Sequence, residues 1–385
     1  MRSNLKHAQD RLIRRTKEQP MISIPALPSG FSNALLTEIL QEHGCLPSTG
    51  AVSDLTQSLI GDGTGMMAEL AKLNLTYRGD QGAAPATLIA KFSSQNPVNR
   101  DMAMNYNLYE REARFFGELS PKAGIKTPAI YFVGFSGDQF LILMEDLSDY
   151  AVGSQVIGAD LHQSELAIDE LVKLHGAFWG RVSGLDWVPS VAGSYHADNM
   201  VQFSAIGAPA TIERFSDYLT PNYSKHLNAL LAAIPALQNR MSQGPVTFCH
   251  GDFRMENLLY GTDAAHAQVM VIDFQGPLKA IGMNDVALFL GQSTQTAVRQ
   301  AHERALIQRY VEGLQNLGTS ELSFDTSFES YRLSVLYNWI YVTVVAGTLD
   351  VSNPKAYAWM AQMVARQSAA SDDLGCFDLL KSIMA

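Results

Sequence analysis

The sequence predicts an α+β fold in two lobes or domains, and three observations carry that prediction. The chain has 385 residues, 47% of them hydrophobic and 17% charged, enough for a substantial core and for more than one compact body. In its first third Ala71, Leu73, Leu75 and Tyr77 alternate with polar residues, the period-two signature of a half-buried strand, and a short apolar strand follows. From about residue 290 the spacing turns helical and stays so.

The elements follow in order. A helix is expected over residues 32–43, and the glycine string Gly61, Gly63, Gly65 precedes a strand whose alternating Ala71, Leu73, Leu75 and Tyr77 define one buried face. Thr87-Leu88-Ile89-Ala90-Lys91-Phe92 is an apolar strand carrying one lysine, and Leu108, Glu112, Phe115 and Leu119 then fall at helical spacing. Strands are expected over 129–135 and 139–144, and Met144-Glu145-Asp146-Leu147 leads out of the second into a polar segment. Ala167, Leu171, Leu174 and Phe178 mark a helix over 165–180. Leu258-Leu259-Tyr260 and residues 269–272 read as two strands of a hairpin about a turn that begins at Gly261-Thr262-Asp263. The apolar run 333–349 contains Ser334, Asn338, Thr343 and Thr348 and is short for a membrane span, so it reads as a buried helix.

Chemistry concentrates in His250-Gly251-Asp252-Phe253-Arg254-Met255-Glu256-Asn257 and, beyond the hairpin, Val271-Ile272-Asp273-Phe274-Gln275. A hydroxyl nucleophile needs a carboxylate to align it and take its proton, which makes Asp252 the candidate base. Magnesium prefers oxygen ligands and keeps several waters, so the Asn257 amide and the Asp273 carboxylate suffice to hold it. The hairpin brings those two residues to one end. These are the parts of a phosphoryl-transfer site.

Carried by those motifs, the chain resembles the aminoglycoside phosphotransferase and choline kinase family of small-molecule kinases. Asp273-Phe274-Gln275, where a glycine would commonly close the motif, leans toward the ecdysteroid kinase-like branch. The resemblance implies a protein-kinase-like two-lobed fold: an N-lobe of antiparallel sheet plus helix over 21–146, after a polar basic segment 1–20, and a mostly helical C-lobe over 147–385. It implies ATP and Mg2+ as cofactors, a hinge at Glu145 and Leu147 whose backbone contacts adenine, and an Asp285 that braces the catalytic loop. Arg254 stands where protein kinases carry a lysine two residues after the catalytic aspartate; it either neutralises the transferred phosphate or forms a structural ion pair.

A kinase also needs a phosphate-covering loop, a phosphate-binding lysine and an acid to hold that lysine. Gly61, Gly63 and Gly65 let backbone approach phosphate closely, although an ordinary turn has the same composition. Lys91 is the lysine, with a snorkelling strand lysine as the plain alternative. Glu112 lies on its helix's apolar stripe, where a buried acid needs a partner. Glu110 and Arg114 sit four apart and off that stripe, as a solvated pair. The stripe and the resemblance together predict that Glu112 meets Lys91.

Other classes are disfavoured. A net charge of −10 argues against nucleic-acid binding, and the basic residues Arg2, Lys6, Arg11, Arg14, Arg15 and Lys17 surround no apolar core of a signal peptide. Cys45, Cys249 and Cys376 cannot all pair, which fits a reducing cytoplasm, and Cys249 continues an apolar run as a buried thiol. His175 and His250 read as architectural. Tyr337, Trp339, Tyr341, Tyr357 and Trp359 are core or acceptor-stacking aromatics, and Asp372 and Asp373 are amine ligands or helix caps. The expected partner is a small-molecule hydroxyl acceptor, with no nucleic acid and no membrane; oligomeric state is unread. The competing function is a nucleotide-binding pseudokinase or regulatory scaffold.

Overall fold

The structure, a computed structural model, describes residues 24–25, 27–60, 67–263, 268–319 and 321–384. The basic segment 1–20 and the glycines Gly61, Gly63 and Gly65 lie outside the described residues. The chain divides into two compact units. The first runs to Lys122 and resumes over Thr127–Ser148; the second takes Ala123–Lys126 and Asp149–Ala385.

The first unit is a five-stranded antiparallel sheet with helices. Its strands are β1 (Ala51–Ile60), β2 (Ala68–Arg78), β3 (Thr87–Ser93), β4 (Ile130–Ser136) and β5 (Gln139–Glu145), in the order β1-β2-β3-β5-β4. Helix α1 (Asn33–His43) starts where the Ser32 hydroxyl accepts from the Leu35 amide and stops at Gly44, whose φ of 86° is left-handed. Its Leu36, Ile39 and Leu40 pack with Leu73, Leu88, Ala90, Leu141 and Leu143 in one core. Because side chains alternate across a strand, Lys91 leaves β3 on the face opposite Leu88, Ala90 and Phe92.

That opposite face receives α3 (Leu108–Arg114), which packs against β4 and β5 and in turn meets α2 (Pro97–Asn105). The Tyr109 hydroxyl donates to the Met67 carbonyl at 2.6 Å and accepts from the Ser94 amide at 3.0 Å, tying α3 to the sheet. Beyond Arg114 the ladder widens to a π-turn over Phe115–Leu119, so the apolar stripe read from the sequence is continued by a wider turn.

In the second unit, α4 (Leu161–Phe178) begins four residues earlier than the apolar spacing indicates. Asp160 caps it, and Gln163 returns a bond to the Asp160 amide at 3.1 Å, a capping box that extends the first turn. Helices α5 (Tyr195–Phe215) and α6 (Pro221–Met241) precede the short strands β7 (Thr247–Cys249), β8 (Leu258–Gly261), β9 (Val269–Val271) and β10 (Leu278–Ala280). β7 pairs with β10, and β8 lies between β6 (Tyr150–Val152) and β9. Helices α7 (Met283–Leu288), α8 (Thr296–Asn316), α9 (Phe324–Thr348), α10 (Pro354–Asp373) and α11 (Leu379–Met384) complete the unit. The apolar run 333–349 lies mostly within α9, which is largely buried; among the described residues no helix is long and apolar enough to cross a membrane.

Candidate active site

The loop that carries Asp252 leaves β7 and is held by a buried chain of polar groups. Asp285 on α7 accepts from the His250 amide at 2.6 Å and the Gly251 amide at 3.1 Å. Its carboxylate also meets His175 Nε2 at 3.2 Å, and His175 Nδ1 meets the Tyr310 hydroxyl at 2.8 Å. Burial opposes the charge on Asp285, yet His175, His250 and the Gly251 amide outweigh it and hold its carboxyl below the usual range. Cys249 is fully buried beside this chain, with its thiol pushed well up by desolvation. An inert structural thiol is what such burial produces.

Gly251 turns the chain with φ 80°, and a Cβ there would lie 2.0 Å from the Gly276 carbonyl. Only glycine fits that approach. His250 accepts from the Asp252 amide through Nδ1 at 3.2 Å, so its proton sits on Nε2 and is donated to the Ile272 carbonyl at 3.0 Å. The ring thereby links the loop to the segment that carries Asp273.

Three donors converge on the Asp252 carboxylate. Asn257 Nδ2 donates to Oδ2 at 3.0 Å and to the Asp252 carbonyl at 2.8 Å. Arg254 Nε lies 3.3 Å from Oδ2 and 3.2 Å from Oδ1. The Tyr341 hydroxyl of α9 donates to Oδ1. With the Asn257 nitrogen committed to Asp252, its amide oxygen is the atom left for a cation.

The strands behave as the hairpin reading requires. Leu258 pairs with Val271 and Tyr260 with Val269, and the Ile272 amide donates to the Asn257 carbonyl at 3.0 Å. Asn257 and Asp273 therefore flank one end of the β8–β9 ladder. Asp273 has φ 66°, a left-handed conformation that a non-glycine residue adopts at a cost of about 1–3 kcal/mol. An amide oxygen and a carboxylate at this end are hard donors that fit Mg2+ in chemistry and number.

Arg254 is more enclosed than a surface arginine. Its NH1 bonds Glu256 at 2.7 Å, and its guanidinium lies 4.8 Å from the centre of the Trp359 ring. Burial works against its charge, but Asp252, Tyr341, Glu256 and Asp273 together outweigh burial and raise its pKa. Desolvation lifts the Glu256 carboxyl above the usual range despite Arg254.

In the first unit Lys91 Nζ bonds the Glu112 carboxylate at 2.8 Å, with the two side chains 11% and 1% exposed. Arg114 meets Glu110 at 3.4 Å and Glu118 at 2.9 Å, both half-exposed pairs. Glu145 closes β5 and accepts from the Ala129 amide at 2.9 Å; Asp146 pairs with Lys72 at 2.7 Å. Leu147 is buried, so at this segment the side chains serve the fold and the backbone is what remains for a ligand.

Sequence reasoning missed the partners of Asp252 and Arg254 that come from afar, Tyr341 for the first and Trp359 for the second. Tyr341 and Trp359 stood only as aromatics of undecided role, because nothing in local spacing ties α9 or α10 to a loop some ninety residues earlier; the Tyr341–Asp252 separation is 89. Glu256 was legible in principle, two residues from Arg254. Trp339, fully buried, stacks on Tyr223 and is core. Asp372 and Asp373 end α10 rather than begin it: Asp373 bonds Arg299 and Asp372 bonds Asn222 at 3.1 Å, which rules out the N-capping reading and engages both acids.

Among solved structures, the GDP complex of wild-type aminoglycoside 2'-phosphotransferase-IIIa matches with a TM-score of 0.50 at 11% identity, over 89% of this chain and 99% of that one. At that identity the likeness shows the fold. Plasmodium vivax ethanolamine kinase (TM-score 0.47, 14% identity, 86% of this chain and 83% of that one) and a microcompartment-associated aminopropanol kinase (0.43, 12%, 90% and 98%) also match. No curated protein matches the sequence. The class defined is a protein of protein-kinase-like fold. Within it, the sequence model of the ecdysteroid kinase-like family matches residues 62–183 and 189–321, and the chain belongs to that family.

Proposed function

We propose that this protein is an ATP-dependent kinase that transfers the γ-phosphate to a hydroxyl of a small organic molecule. The observation that carries the reading is the Asp252 carboxylate, held at once by Asn257, Arg254 and Tyr341 while 24% of its side chain stays exposed. A carboxylate fixed by charge-assisted bonds is preorganised to receive a hydroxyl rather than free to swing. Asp252 orients the acceptor and takes its proton. Asn257 and Asp273 hold Mg2+, which when bound neutralises charge on the phosphates. Lys91, steadied by Glu112, clamps phosphate; Gly61, Gly63 and Gly65 cover it; the backbone near Glu145 and Leu147 meets adenine. Arg254, pinned between Asp252 and Glu256, acts first by setting Asp252 in place.

The test is magnesium-dependent ADP release across amino-alcohols, aminoglycosides, macrolides, sterols and sugars. An acceptor-stimulated release identifies the substrate class, and Asp252→Ala abolishes it while ATP affinity stays within about threefold, because the aspartate acts on the acceptor and not on nucleotide. Turnover that survives Asp252→Ala defeats the assigned role. ATP binding with no stimulation across the panel favours the regulatory scaffold.

A further inference from the structure

The bond between Tyr341 and Asp252 is of the kind the acceptor must make. It is an alcohol O–H donated to carboxylate oxygen Oδ1. The phenol remains neutral, since burial and the Asp252 charge push its pKa well up, and so remains a donor. Of the three donors on Asp252 it is also the one without a second hold. Asn257 is buried and bonds the Asp252 carbonyl as well. Arg254 is fastened to Glu256 and covered by Trp359. Among the described residues the Tyr341 hydroxyl makes this one hydrogen bond.

From this asymmetry we infer that Tyr341 is a specificity-determining residue: its hydroxyl keeps the acceptor's place on Asp252, excludes water from it, and yields to an organic alcohol that brings enough binding energy of its own. A carboxylate has about four lone-pair positions, and the three donors fill most of them. Water offers no contact beyond its own hydrogen bonds and gains little by displacing the phenol. An alcohol that buries apolar surface beside the site gains more. The inference rests on the kinase reading above.

The predicted consequence is a gain. In Tyr341→Phe the ring stays and the O–H goes, so water reaches Asp252. The water oxygen bonds to the γ-phosphorus, the bond from that phosphorus to the departing ADP oxygen breaks, and the water proton passes to Asp252; the products are ADP and inorganic phosphate. Full-length wild type, Tyr341→Phe, Asp252→Ala and the double variant are compared for ADP release with Mg-ATP and water as the sole acceptor. Release by Tyr341→Phe rises about tenfold, the scale of losing one hydrogen bond to a charged group, with KM for ATP unchanged, and Asp252→Ala removes the rise. A packing role for Tyr341 alone would only lose activity.

A second readout needs no nucleotide. The tyrosine ultraviolet difference spectrum between wild type and Asp252→Ala reports loss of the phenol–carboxylate bond, and it vanishes when both proteins carry Tyr341→Phe. Release that depends on Asp252 but is unmoved or lowered in a folded Tyr341→Phe protein overturns the inference and spares the kinase reading. Absence of the difference spectrum also overturns it. Release that is absent throughout, or indifferent to Asp252→Ala, overturns both.

Discussion

At the scale of single residues, the sequence discloses a polar group best when its local pattern leaves it no alternative. Glu112 on an apolar stripe had to find a cation, and it finds Lys91 at 2.8 Å. The pair is almost wholly enclosed, so removing one partner takes from the other a charge-assisted bond made out of water. Lys91→Met is expected to destabilise the protein by about 3–5 kcal/mol, measured by urea unfolding, whereas Lys91→Met with Glu112→Gln recovers most of that loss. Equal losses in the two proteins would mean that the cost is packing and not charge. Asp252 illustrates the other case: its candidacy was legible from spacing, but its restraint by Tyr341 was not, because a contact across 89 positions leaves no trace in local periodicity.

Among elements, close approach sets what the sequence can hide. Gly207 on α5 and Gly347 on α9 meet at the crossing of those helices: a Cβ on Gly347 would lie 2.1 Å from the Gly207 carbonyl and 2.4 Å from its Cα. Backbone cannot yield as a side-chain end can. Gly347→Ala should therefore cost about 1–3 kcal/mol or more through overpacking, read as a lower denaturation midpoint with an unchanged slope. A midpoint equal to wild type would show that the helices separate freely. Tyr341 lies on the same helix, fewer than two turns away. The strands and helices that were predicted fall within a few residues of those observed, apart from the longer start of α9, and two departures have local causes: the Asp160 capping box started α4 early, and the π-turn at Phe115 altered the helical pitch; β1, α5 and α6 were not read from the sequence at all.

For the whole molecule, the chemistry of acid unfolding follows from where carboxylates are held ionised. Asp285 is fully buried, its pKa depressed by His175, His250 and the Gly251 amide against the pull of burial, and Asp146 is depressed by Lys72 and Ser148, again against burial. A depressed carboxyl contributes stability that is complete above its unfolded value and is lost as pH falls through the folded one. Melting temperature should accordingly hold down to about pH 4, the unfolded aspartate value, and fall below it. Asp285→Asn should flatten that fall; an unchanged acid limb would remove Asp285 from the account. The class and the two-part organisation of the fold were readable from motif order and composition. The acceptor was not, because no spacing rule in the helical part of the chain reports which side chains meet a ligand.

Asp273 shows what it means for one position to serve two requirements. Its side chain has to end in an oxygen if it is to serve a cation, which aspartate does and glycine cannot, while its backbone, at φ 66°, is the shape that glycine takes without cost. The chain keeps the acid and tolerates the torsion. In a relative that carried glycine at this place, the turn would be relaxed and the ligand gone, and such a sequence would record the abandonment of chemistry through a change that makes the protein sturdier.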